Sequence, residues 1–89
     1  MPTIAWFYGI AIQMFFDDHN PPHFHARYGR ARAIVRISDG QVISGELPPT
    51  ALRLVREWAL ARRVELEENW QHARAHQPLE RVPGPDADE

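Results

Sequence analysis

Among its 89 residues the chain has no cysteine and no lysine. Nor does any apolar run approach the roughly 18–20 residues of a membrane span. The missing cysteine excludes a disulfide framework, a thiolate nucleophile and any cysteine-ligated zinc site. Any catalysis or metal binding therefore falls to His and Asp. The missing lysine makes every basic side chain an arginine, whose planar fork favours bidentate contacts with phosphate or carboxylate. A basic-then-apolar leader is also missing at the start of the sequence, so the expectation is a cytoplasmic protein without a membrane segment. At this length one domain is expected, burying only roughly 60–65% of its unfolded surface.

What is present is unevenly placed. The net charge of −2 hides a division. Residues 77–89 hold Glu80, Asp86, Asp88 and Glu89 against Arg81 alone, whereas from His19 to Arg63 eight arginines face only Asp39, Glu46 and Glu57. A basic middle followed by an acidic end matters for nucleic-acid binding, where the local stripe counts more than the total.

The first half alternates with the period of strands. Thr3 to Phe7 is a short β run, and Tyr8-Gly9 offers a turn. Ile10 to Phe16 then puts Ile10, Ile12, Met14 and Phe16 on one face. His23 to Tyr28, Ala31 to Ile37 and Gln41 to Leu47 continue the pattern, with Asp39-Gly40 as a hairpin signal. From Pro48-Pro49 the period changes. Leu52, Val55 and Ala59 with Trp58, then Leu66, Trp70 and Ala73, form a helical stripe that Arg62 and Arg63 interrupt. The expected architecture is α+β: an antiparallel meander of about five strands, followed by one kinked or two C-terminal helices packed on one face. Residues 1–77 form the expected domain, and 78–89 read as a disordered acidic tail.

Chemistry concentrates in Asp17-Asp18-His19-Asn20-Pro21-Pro22-His23-Phe24-His25. The prolines stiffen the loop, and on a strand His23 and His25 share one face. Three readings follow. In the first, His19, His23 and His25 ligate a divalent metal such as Zn, Mn or Fe, with Asp17 as a further donor. In the second, His23 and His25 are the general base and acid for cleaving an RNA phosphodiester, and His19 or Asp17 orients them. Arg27 then contacts the phosphate, and Arg30, Arg32 and Arg36 extend the nucleic-acid surface. In the third, the histidines only satisfy backbone groups of the turn, and the domain is a non-catalytic interaction module. An unpaired sheet edge would suit a partner strand or a homodimer. The loop pattern does not set the Asn20-Pro21 isomer.

The Phe15 to Gly29 block, with Phe7-Tyr8-Gly9-Ile10 before it and Ala51-Leu52-Arg53-Leu54-Val55, Glu57-Trp58-Ala59 and Glu68-Asn69-Trp70 after it, resembles a small bacterial family. Its members are named DhiT-type toxins of type II toxin–antitoxin modules. The resemblance spans about residues 1–80. It implies a bacterial cytoplasmic toxin encoded beside a small antitoxin of the DhiA type. It implies no established chemistry.

Overall fold

A computed structural model describes residues 2–85. The alternating half folds into β1 (Thr3–Phe7), β2 (Ile10–Gln13), β3 (His23–Tyr28), β4 (Ala31–Arg36) and β5 (Val42–Glu46). These form one antiparallel sheet in sequence order, as expected for a meander. Two helices follow, α1 (Pro49–Ala61) and α2 (Arg63–Arg74), so the α+β expectation holds. The break between them falls at Arg62, where φ −110° and ψ 24° leave the helical region. Pro49 opens α1 at a position whose missing N–H costs nothing.

One face of the sheet supplies the core. Phe7, Ile10, Ile12, Phe24, Ala26, Ala33 and Val35 point inward and meet Val55, Trp58, Ala59, Leu66 and Trp70 of the helices. The Trp58 ring packs against both Phe7 (centroids 5.0 Å apart) and Phe24 (5.9 Å). Each large side chain removed from water in this way contributes roughly 1.5–3 kcal/mol. Among the described residues, the opposite face is the more exposed one. Register places Trp6, Ala11, Arg27, Arg32 and Glu46 side by side across all five strands on that face. The adjacent row is Gln13, His25, Ile34 and Ser44.

Two expectations are corrected. The second strand stops at Gln13 and not at Phe16, although Met14 stays fully buried and its N–H reaches the Pro2 carbonyl at 3.2 Å. Residues 78–85, assigned by composition to a disordered tail, pack against the domain. Asn69, completely buried, donates to the Glu80 carbonyl and accepts from the Glu80 N–H, each at 2.8 Å. The Val82 N–H donates to the Ile4 carbonyl, Val82 joins the core, and the Trp58 indole N–H donates to the Pro83 carbonyl. Isolated apolar residues held by buried polar groups have no periodicity, so the pattern of the sequence does not reveal them. Asp86, Asp88 and Glu89 lie outside the described residues.

Candidate metal or catalytic centre

Strand β3 carries His23 and His25 two residues apart, and the loop between β2 and β3 brings a carboxylate to them. That carboxylate belongs to Asp18. Its Oδ2 lies 2.9 Å from His23 Nε2 and 3.3 Å from His25 Nε2. His23 is fixed at both ring nitrogens, because its Nδ1 is 2.7 Å from the Pro21 carbonyl oxygen. A carbonyl only accepts, so Nδ1 carries a hydrogen and donates it. The Nε2 atom is thereby aimed at Asp18. Trp70 flanks the His23 ring at 5.2 Å, and the Phe15 ring meets that of His25 edge-on at 4.4 Å. The Asn20–Pro21 peptide in this loop is cis.

The electrostatics follow from this packing. Burial works to raise the Asp18 carboxyl, but hydrogen bonds from His25 and His23, the His23 charge and the His19 backbone N–H together hold it below the ordinary carboxylate value. Burial pushes the His25 imidazole below its ordinary value, with the charge of His23 acting in the same direction and the contact with Asp18 opposing it.

The expected site residues divide. His23 and His25 both reach the Asp18 carboxylate. Asp17 does not join them. It adopts a left-handed backbone conformation at φ 60°, which Asp tolerates, and its Oδ1 meets His76 Nε2 at 2.8 Å. The adjacent Asp18 takes the place expected of Asp17. His19 is also displaced from the expected metal set. Its side chain is 90% exposed, its Nδ1 lies 3.5 Å from the other carboxylate oxygen, Asp18 Oδ1, and its ring centroid is 6.1 Å from that of His23. Among the described residues, the group with metal-ligand geometry is Asp18, His23 and His25.

The arginines divide as well. Arg27 and Arg32 are register partners and line a cleft of about 390 Å³ on the open sheet face with Gln13, Phe15, His25 and Ser44. His25 therefore belongs both to the Asp18 cluster and to the arginine cleft. Arg30 is exposed in the turn between β3 and β4. Arg36 is engaged elsewhere: its Nε and one terminal nitrogen donate to the two oxygens of Asp39 at 3.0 and 2.6 Å. Asp39 is held at about 2 by that contact, helped by the Gln41 backbone N–H. Two features of this surface escaped the reading of the sequence. Trp6, 60% exposed, sits in the same row as Arg27 and Arg32, and the alternation of β1 does contain that information. Trp70 beside His23 carries no such signal, because its helical spacing announces only packing.

Residues 9–71 match the profile of a family described as Domain of unknown function (DUF4160). The matched stretch contains the whole Asp17–His25 segment, both cleft arginines and most of the helical pair. No curated protein and no solved structure matches the chain.

Proposed function

This chain belongs to the DUF4160 family, and we propose that it acts there as the toxin of a bacterial type II toxin–antitoxin pair, hydrolysing RNA at the Asp18–His23–His25 centre. The observation that carries this reading is the double membership of His25, in the carboxylate–imidazole cluster and in the cleft lined by Arg27 and Arg32. A phosphodiester seated on the two guanidinium forks lies beside the His25 imidazole, a group suited to general acid–base work. Trp6, two strands from Arg27 along the row with Ala11 between them, offers an aromatic face on which a base can stack. Arg30 adds charge at the rim of the sheet, whereas Arg36 is withdrawn by Asp39. The acidic partner expected for such a surface is the cognate DhiA-type antitoxin, and the compartment is the cytoplasm.

The test combines induced expression with cleavage of end-labelled single-stranded RNA by the purified protein. Wild type should arrest growth and cut the RNA. His25→Gln should lose both, and the double variant Arg27→Ala, Arg32→Ala should lose RNA affinity. Asp17→Asn should match wild type, because that carboxylate faces His76 and not the cluster. If wild type neither slows growth nor cuts RNA, the proposal is wrong.

A further inference from the structure

We propose that Asp18 Oδ2, His23 Nε2 and His25 Nε2 together bind one divalent transition-metal ion of the zinc class. The inference deepens the hydrolytic reading above, on which the ion's role in catalysis rests. Its basis is geometric. The three ligand atoms all lie within 4.8 Å of one another, and the two contacts to the carboxylate oxygen measure 2.9 and 3.3 Å. Ligands bound tetrahedrally at roughly 2.0–2.2 Å sit about 3.3–3.6 Å from one another, so the two carboxylate contacts come close to two edges of such a site, and the third lies within 4.8 Å.

Ring orientation points the same way. Because His23 Nδ1–H donates to the Pro21 carbonyl, it is the Nε2 atom that faces the carboxylate. One cation at that point meets both Nε2 atoms and the carboxylate oxygen together. The bond to Pro21 is also the outer-shell support that ligating histidines use: the far nitrogen donates to a backbone carbonyl, which fixes the ring and its tautomer.

The donor set narrows the metal. Two imidazole nitrogens and one carboxylate oxygen suit zinc and its transition-metal neighbours, and poorly suit calcium or magnesium, which take oxygen ligands. Three protein ligands leave a coordination position open. The side chains of Asp18 and His25 are 19% and 27% exposed, so that position can reach solvent and the arginine cleft. Water or a phosphate oxygen fits there, and zinc lowers the pKa of bound water to about 7. The ligands come from a loop and a strand, so binding also ties the β2–β3 loop to the sheet.

The experiment is calorimetric titration of ZnCl2 into the full chain, purified without a histidine tag and treated with chelator, together with thermal melting with and without zinc. The expected result is one ion bound per chain and a melting temperature raised by zinc. Asp18→Asn and His25→Gln should each weaken binding by more than roughly tenfold, since even loss of an outer-shell partner costs about 10–100-fold. His76→Gln should bind as wild type does, because His76 contacts Asp17. Binding by neither wild type nor variants, or binding that both ligand substitutions leave intact, overturns the inference. The RNA assay separates the two proposals. A metal-free protein that cuts RNA removes the ion and keeps the hydrolysis, whereas a protein that binds zinc and leaves RNA intact does the reverse.

Discussion

The two faces of the sheet are made from the same strands and obey different rules. Toward the helices, Phe7, Ile12, Phe24 and Val35 are buried to within 1% of complete, and the face is uniformly apolar. On the other side, the same strands present Trp6, Gln13, His25, Arg27, Arg32 and Ser44, with partners that range from carboxylate to solvent. The covered face has one task, to exclude water, and any close-packed set of hydrophobic residues performs it. The open face holds groups whose identity matters and whose burial is incomplete. A single substitution should therefore affect stability when it faces the helices and chemistry when it faces away.

That contrast breaks most readily at Phe24. Phe24→Ala empties a fully buried site between the sheet and Trp58 and should cost about 3–5 kcal/mol, read from chemical denaturation. In a domain this small such a loss is a large part of the total. Next comes Asn69→Ala, which strands the Glu80 N–H and carbonyl that the amide now satisfies. About 2–3 kcal/mol should be lost, and residues near Val82 should become more susceptible to proteolysis. Retention of full stability would show that the packed segment 78–85 adds little. Gly45→Ala should cost about 2 kcal/mol, because Gly45 has φ 78° and a Cβ there would run into the Arg32 carbonyl oxygen.

The open face sharpens the comparison from the other side. Arg27→Ala or Arg32→Ala should change stability by no more than about 0.5 kcal/mol. Each should lower the salt dependence of RNA binding by about one phosphate contact. The smallest effect is expected at Asp39. Its pKa is held at about 2 in the folded chain against 3.8 ordinarily, chiefly by the Arg36 hydrogen bonds. A depressed carboxyl contributes stability that is complete above the unfolded value and is lost as pH falls through the folded one. Wild type should therefore lose that increment between about pH 4 and pH 2, and Asp39→Asn should flatten this part of the profile. The pair is exposed, so the change should be slight.

Legibility in the sequence follows the same division. Alternation located β1 and β3 to the residue, and the charged pair at Arg62-Arg63 marked the break between the helices. Both are repeated local signals. The histidine segment was legible through its density of titratable groups, but the choice between two adjacent carboxylates was not. The strand ends at Gln13, and the positive φ of Asp17 reverses the chain. Strand parity therefore no longer predicts direction when Asp18 is reached. The packed segment after α2 was hidden for another reason. Glu80 is held by Asn69 and Val82 by the backbone of β1, contacts that have no period.

Of all measurements, RNA cleavage by His25→Gln, with its folding checked by melting, tests the central claim most directly. His25 is partly exposed and lies on the open face, so the variant should melt close to wild type. The account predicts a loss of cleavage of about 100-fold or more with the fold intact. A variant that melts normally and cuts RNA at the wild-type rate would contradict it.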